Sequence, residues 1–398
     1  MNYRLGGYGF LSSFEVANVN NLNNGILDQR LALHWVQENI GAFGGDPTKV
    51  TIWGESAGAE SVAMHLLAYG GRDDGLFHQG IMESGSMTTP NFFPVGYYQP
   101  SYDNLTAYVG CNESVDSLEC LRTNATVDQL NFAFNHTNGI ATRVFNLVID
   151  GSFIPAWPKT MLANKQFVKV PILSGANLDE GTAFGPGNVN TTQDIKNWLY
   201  NTYPYLTNNT VNELLQLYPN NATEGAPFGT GNQFENSTLG LQYKRGSAIG
   251  GDIVMIAPRR LICETYSAMG LPVYGYVWNQ SDFTTPASAG ASHFQEVVYV
   301  FDNPGNLTQS ASAPIGPDPT GAKKRLADMT SRRWMSFVGK GDPNQAVMNS
   351  SNTTVWPSYT QNKQVFYLSP GASFPMDDTF REDGIHFLNY GIGHQLLN

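Results

Sequence analysis

The stretch V-T-I-W-G-E-S-A-G, from Val50 to Gly58, constrains the fold more than any other part of this chain. Val50, Thr51, Ile52 and Trp53 have the β-branched and aromatic character of a strand, and the apolar spacing Ala59, Val62, Ala63, Leu66, Leu67 that follows is helical. A strand that passes this abruptly into a helix needs a sharp turn, and the turn forces Ser56 into a strained backbone conformation. The crossing of strand and helix leaves no room for a Cβ two residues to either side, which accounts for Gly54 and Gly58. Such a turn lifts the Ser56 hydroxyl to the top of a sheet. It also aims the Ala57 N–H, at the start of the new helix, toward any oxyanion that forms there.

A serine hydroxyl is a poor nucleophile at neutral pH. It needs a histidine to take its proton and a buried acid to hold that imidazole in the right tautomer. The G-x-S-x-G pattern is weak alone and fits an ordinary strand-to-helix turn, so the reading depends on a suitable acid and histidine downstream. His293 lies in a Gly/Ala/Ser loop just after the strand expected at Pro272 to Trp278, where a sheet presents its active-site groups. His34 and His65 fall within helical runs and read as packing or surface residues, and His78, His136, His386 and His394 lack the setting of His293. For the acid, Asn177-Leu178-Asp179-Glu180-Gly181 follows the short apolar strand Val170 to Ser174. On spacing alone, Asp179 and Glu180 are both candidates.

The rest of the chain supplies the frame. Met1 to Leu5 reads as a strand, so the chain opens inside a fold. Leu27, Leu31, Trp35, Val36 and Ile40 mark the apolar face of a helix ending at Gly41, and Phe77 to Glu83 is the strand after the Ser56 helix. Strand, helix, strand and helix in sequence predict an α/β protein with a mostly parallel central sheet and helices on both faces. Residues 88–150 and 191–241 read as loop-rich insertions, the second with one helical run near Val211 to Leu217. Arg259 to Met269 is a helix, Leu326, Met329, Trp334, Phe337 and Val338 mark a last one, and the tail from Trp356 is short strands and loops. No repeat, heptad or long linker interrupts the chain, so residues 1–398 form one domain, large enough at 41% hydrophobic content to bury a sizeable core.

The net charge of -11 comes without any acidic block, which describes a solvated surface and argues against nucleic acid or an anionic membrane as partner. No apolar run is long enough to span a bilayer. Cys111 and Cys120 lie close together in a polar loop. N-x-S/T sequons occur at Asn104, Asn112, Asn124, Asn135, Asn190, Asn208, Asn221, Asn236, Asn279, Asn306, Asn349 and Asn352. They point to a secreted glycoprotein, the bland reading being an Asn/Thr-rich loop composition without glycans.

The run Asn24-Gly25-Ile26-Leu27-Asp28-Gln29, through Gly44-Gly45-Asp46-Pro47, to the G-E-S-A-G turn resembles the type-B carboxylesterases, the cholinesterase-related esterases and lipases. Further matches are Glu83-Ser84-Gly85-Ser86, Cys111 with Cys120-Leu121-Arg122, Ile149-Asp150-Gly151, Asn177-x-Asp179-Glu180-Gly181-Thr182, and Gly290-x-x-His293-x-x-Glu296 running into Tyr299-Val300-Phe301. The resemblance covers nearly the whole chain and is strongest to fungal secreted members. It implies the α/β-hydrolase fold and cleavage of small-molecule or lipid esters through an acyl-enzyme, without metal or organic cofactor. Ser56 would be the nucleophile, His293 the general base, Glu180 rather than Asp179 the acid, and Ala57 an oxyanion donor.

The resemblance also implies a Cys111–Cys120 disulfide, with Cys263 free and buried. In the family's pattern a Gly-Gly-Gly type oxyanion loop, earlier strands, a lid loop and a signal peptide would fall before Met1, so the chain is expected to be truncated at its N-terminus. The rival expectations are a catalytically silent binding or adhesion member of the same fold, or an inactive fragment lacking the oxyanion loop. Phe92, Phe93, Tyr97, Tyr98 and Phe228 either line an acyl pocket or pack loops.

Overall fold

The computed structural model describes residues 1–89, 92–135, 145–236, 238–303, 315–345 and 354–398. Its central sheet has six strands, β1 (Thr51–Glu55), β2 (Gln79–Glu83), β3 (Ile172–Asn177), β4 (Val273–Trp278), β5 (Gln364–Leu368) and β6 (Phe374–Asp377), and their spatial order follows the chain. β1 to β5 are parallel, and β6 closes the edge antiparallel to β5. Every residue of β2 and β3 is buried, the pattern of parallel strands covered on both faces.

The helices used below are α1 (Asn24–Asn39), α2 (Ala57–Gly71), α3 (Pro158–Ala163), α4 (Thr192–Thr202), α5 (Asn208–Leu217), α6 (Tyr243–Gly251), α7 (Ala257–Ala268), α8 (Ala322–Lys340) and α9 (Glu382–His386). A Cβ built on Gly80 would lie 3.3 Å from Val62 of α2, whereas the adjacent Gln79 donates its side-chain N–H to Phe337 O of α8 at 2.8 Å. Neighbouring strand residues point to opposite faces, so α2 and α8 cover opposite sides of the sheet.

Packing divides into a main core and two satellites. The main core joins the sheet to α2, α7 and α8, and Trp334, Trp356 and Tyr276 form its aromatic centre, with ring centroids 5.7 and 5.2 Å apart along that chain of contacts. One satellite packs Ile195 and Leu199 of α4 and Val211 and Leu214 of α5 against Ile249, Ile253 and Ile385. The other gathers Val16, Leu22, Tyr98, Tyr102, Leu121 and Phe145. Beside it the Cys111–Cys120 disulfide closes its short ring, with Cα atoms 5.6 Å apart, while Cys263 is free and buried. Asp378 is fully buried between Arg259 and Arg260, at 2.8 and 3.0 Å.

Several elements differ from the sequence expectation. Met1 to Leu5 joins no sheet among the described residues; it is held by Arg4, whose guanidinium grips Asp28 of α1 at 2.8 and 2.6 Å. Alternation favours a strand only when a ladder partner is present, and β1 pairs with β2 alone. The buried side of α1 is also rotated from the expected stripe: Leu31 and Trp35 are exposed, while Ile26, Gln29 and Arg30 are buried. Polar contacts set that rotation, since Gln29 bonds Ser61 and His65 of α2 and Arg30 pairs with Asp74.

In the polar 191–241 stretch a second helix, α4, precedes the expected one, opened by a capping box between Thr191 and Asp194. α6 extends the helical region upstream of Arg259, and its glycine-rich sequence concealed it. The tail also carries the short helix α9.

Asn104, Asn112, Asn124, Asn135, Asn190, Asn208 and Asn236 are exposed, while Asn221 and Asn279 are half-buried. The Asn279 side-chain nitrogen already donates to the Tyr367 hydroxyl. Asn306, Asn349, Asn352 and His136 lie outside the described residues.

Candidate active site

β1 delivers the chain to Ser56 at φ 56° and ψ -121°, a conformation that costs a non-glycine residue about 1–3 kcal/mol and persists only where the surroundings impose it. Those surroundings are visible: the Ser56 N–H donates to Glu83 O at 2.9 Å, and Ser56 O accepts from Glu60 N at 2.9 Å as α2 begins. A Cβ on Gly54 would sit 2.2 Å from the Gly58 carbonyl carbon, so glycine is obligatory there. The same does not hold at Gly58, where a Cβ would meet nothing within 4 Å. The crowding is one-sided because the Gly54 Cβ vector points at the returning helix backbone and the Gly58 vector points away from it.

The loop after β4 carries His293. Asp179 fastens that loop, accepting from Ala291 N at 2.9 Å and from Phe228 N at 2.8 Å, one bond on each oxygen. Burial raises the Asp179 carboxyl to about 6, against the pull of these two N–H donors. Glu180, next in the chain, is fully buried and faces the other way, with Oε2 2.8 Å from His293 Nδ1. Its second oxygen accepts from Asn177 N at 2.8 Å and from the Ser84 hydroxyl. His293 Nε2 lies 2.8 Å from Ser56 Oγ. In the neutral ring a carboxylate on Nδ1 keeps the proton there, and Nε2 is then left to accept from the serine.

Close backbone approach fixes Glu180. A Cβ on Gly181 would fall 1.6 Å from Ser247 O, so α6 packs directly against the turn that bears the acid. The Phe184 ring meets the His293 imidazole edge-on at 4.8 Å. Ala57, the first residue of α2, is exposed, and its N–H is among those that the helix leaves without an internal partner.

More carboxylates surround the imidazole than one acid would require. Glu55 Oε1 stands 3.3 Å from His293 Nε2. Glu296 accepts from the Asn177 side chain at 2.7 Å, and Glu83 accepts from the Trp53 indole at 2.8 Å and from the Trp334 indole. Burial raises Glu55 to about 8, opposed by the His293 charge; burial and the Glu180 charge raise Glu296 to about 7; burial and Glu296 hold Glu83 well above the carboxylate range. Burial by itself would depress His293, but the hydrogen bond and charge of Glu180, reinforced by Glu55 and Glu296, raise it to about 9.

The structure thus brings Ser56, His293 and Glu180 into one chain of contacts and leaves Asp179 outside it. Sequence reasoning assigned no task to Glu55, Ser84, Asn177 or Glu296. The available signal was positional: Glu55 and Asn177 end parallel strands and Ser84 follows one, at the carboxyl edge where such sheets build sites. Among the aromatics, Phe93 stacks on Tyr97 at 3.7 Å and Tyr98 packs on Phe145 inside a satellite core, so these pack loops, whereas Phe228 is exposed. Among the described residues no group of three or more His, Cys, Asp or Glu could hold a metal ion.

Known proteins resemble this chain over nearly its whole length. A family model described as the carboxylesterase family matches residues 1–388. The chain is 31% identical to a secreted triacylglycerol lipase of Gibberella zeae, over 99% of this chain and 65% of that protein. It is 36% identical to lipase 5 of Diutina rugosa, over 98% of this chain and 68% of that one. The crystal structure of Aspergillus niger EstA superposes with a TM-score of 0.82 at 28% identity, covering 99% of this chain and 74% of EstA. The fold is that of the α/β-hydrolases. The chain spans about 65% of the length of the first of these relatives, and no helix among the described residues is long and apolar enough to cross a membrane.

Proposed function

The chain belongs to the carboxylesterase family, and from that premise we propose that it hydrolyses carboxylic esters through an acyl-enzyme on Ser56. The carrying observation is the unbroken contact chain from Ser56 Oγ to His293 Nε2 and from His293 Nδ1 to Glu180, each link 2.8 Å. Ser56 Oγ attacks the ester carbonyl carbon while its proton passes to His293 Nε2. The resulting imidazolium is stabilised by Glu180, and the carbonyl oxygen, now an oxyanion, takes the Ala57 N–H at the positive end of α2. Collapse of the tetrahedral intermediate breaks the ester C–O bond, and the alkoxide leaves with the proton from His293. Water then attacks the acyl-enzyme, gives its proton to the same nitrogen, and releases the carboxylic acid with Ser56 restored.

Asp179 serves as a structural acceptor in this scheme, because both of its oxygens are engaged by backbone N–H groups. The rival reading, a silent binding member of the same fold, gives no reason to maintain a strained serine at hydrogen-bond distance from a histidine. The exposed sequons and the disulfide support an extracellular setting, and the names of relatives such as the Gibberella zeae lipase point the same way. Residues 1–398 are read as one domain in which 88–150 and 191–241 are insertions, each packed on a satellite core. Labelling with an alkyl fluorophosphonate, followed by peptide mapping, tests the scheme. The phosphonyl group is expected on Ser56 and nowhere else, and labelling that persists in Ser56→Ala would overturn the assignment.

A further inference from the structure

Two adjoining cavities open at the end of the sheet opposite Ser56. The larger, about 570 Å³, lies between α3, α7 and the chain entering β5, and the smaller holds about 280 Å³. Glu264, Lys363, Asn389 and Tyr390 line both. Ser56, Glu180 and His293 follow the carboxyl ends of β1, β3 and β4, whereas Lys363 directly precedes β5 and Met269 lies before β4. The length of a strand, roughly 17–20 Å, therefore separates this cleft from the serine.

The larger cavity has an amphiphilic lining. Leu162, Leu261, Ala268 and Met269 give it an apolar wall, and its charged lining residues are Lys159, Lys165 and Lys363 with a single carboxylate, Glu264, 3.9 Å from the Lys363 ammonium. The Lys159 ammonium donates to Leu388 O at 3.3 Å and Gly393 O at 3.1 Å, which leaves Lys165 and Lys363 as the cations open to a ligand. Asn389, only 4% exposed, sits where the two cavities meet, and its side-chain N–H₂ has no hydrogen-bond partner among the described residues. A buried donor left unpaired costs about 1–3 kcal/mol, which an acceptor supplied by a ligand would recover. Beyond that junction the smaller cavity carries Asp377 and Glu382, whose negative charge resists deeper entry of an anion, while Asp378 there is paired with Arg260.

We propose that this cleft binds an anionic amphiphile, a medium-chain fatty acid, with its carboxylate between Lys363 and Asn389 and its tail along Leu162, Leu261 and Met269. The cationic excess at the rim selects the charge, the apolar wall selects the tail, and the cavity volume is in the range of small-molecule sites. The site is independent of Ser56 and of any chemistry performed there.

Isothermal titration of the full chain with decanoate, decanol and butyrate tests this, beside the variants Lys165→Glu/Lys363→Glu and Ala268→Trp. Decanoate should bind the parent, and reversing two rim charges should weaken that site by about tenfold or more. Ala268→Trp, which fills the exposed mouth, should remove the same site, and it carries the test if circular dichroism shows the charge-reversed chain unfolded. Decanol and butyrate, each lacking one of the two recognised features, should bind far more weakly than decanoate. Turnover of a short ester should be unchanged in both variants. Equal decanoate affinity in parent and folded variants, or decanol binding as tight as decanoate, would overturn the proposal.

Discussion

Changing Glu180 to Gln keeps the size of the acid and removes its charge, so it isolates what that charge does for the imidazolium. With Glu180 Oε2 2.8 Å from His293 Nδ1, two unit charges in an environment of effective dielectric ~20 attract by about 6 kcal/mol. In the reactive form with a neutral ring, the imidazolium appears only as Ser56 gives up its proton, so the loss falls on the transition state of that form, and ~6 kcal/mol corresponds to about four decades of rate. Glu55, 3.3 Å from Nε2, and Glu296 remain nearby. Because burial keeps Glu55 near 8 and Glu296 near 7, they replace the lost charge only in part, and the expected fall in kcat is ~10³- to 10⁴-fold with little change in KM.

Asp179→Asn is the internal control, because it removes one acceptor from a backbone clamp. It should cost about 1–3 kcal/mol of stability and less than about tenfold in kcat. The assay is turnover of p-nitrophenyl butyrate, normalised to Ser56 by fluorophosphonate titration. A Glu180→Gln enzyme within tenfold of the parent, or one outperforming Asp179→Asn, would refute the reasoning.

Glu55→Gln should move the acid limb of kcat/KM to lower pH by roughly one unit, because a carboxylate beside His293 favours the imidazolium and an amide does not; an unmoved limb would detach Glu55 from the base. Asp378→Asn should lower stability by about 3–5 kcal/mol in chemical denaturation, since it leaves the Arg259 and Arg260 charges buried without a counter-ion. In the parent, burial would raise Asp378, but the two guanidinium groups depress it to about 2. Its contribution is therefore present above the ordinary carboxyl range and should vanish as pH falls through about 2, which acid titration of the unfolding midpoint would reveal. Reduction of the Cys111–Cys120 bridge, which spans a sequence separation of 9, should cost about 2–3 kcal/mol under the loop-entropy account; an unchanged denaturation midpoint would remove it from the stabilising contacts.

What could be read from the sequence was whatever depended on neighbours along the chain. The strand, turn and helix around Ser56 were legible because Gly54, Ser56 and the apolar positions of α2 are local consequences of one tight crossing. The face of α1 was not, because its periodicity pointed to Leu31 and Trp35 while polar bonds from Gln29 and Arg30 fixed the rotation from outside the helix. Met1 to Leu5 carries strand-like alternation, but a strand also requires a partner, and no local pattern encodes one. The split between Asp179 and Glu180 was invisible to spacing: adjacent residues leave the backbone in different directions, and only the tertiary position of Ala291 and His293 decides which meets the ring.

The buried carboxylates around His293 raise a last question, since a base held near 9 is mostly protonated at neutral pH and so is idle for most of the time. The compensation lies in the transition state. Burial first, and mutual repulsion second, disfavour the charged forms of Glu55 and Glu296 beside Glu180, and an imidazolium forming in their midst favours those charges at the moment Ser56 gives up its proton. Ser84 donates to Glu180 and Asn177 to Glu296, while Trp53 and Trp334 hold the neighbouring Glu83, so little reorganisation is needed when the charge appears. The arrangement exchanges occupancy of the neutral base at pH 7 for a lower barrier whenever that base is present. A rate that climbs with pH toward about 9 and then levels is the profile expected of such a site.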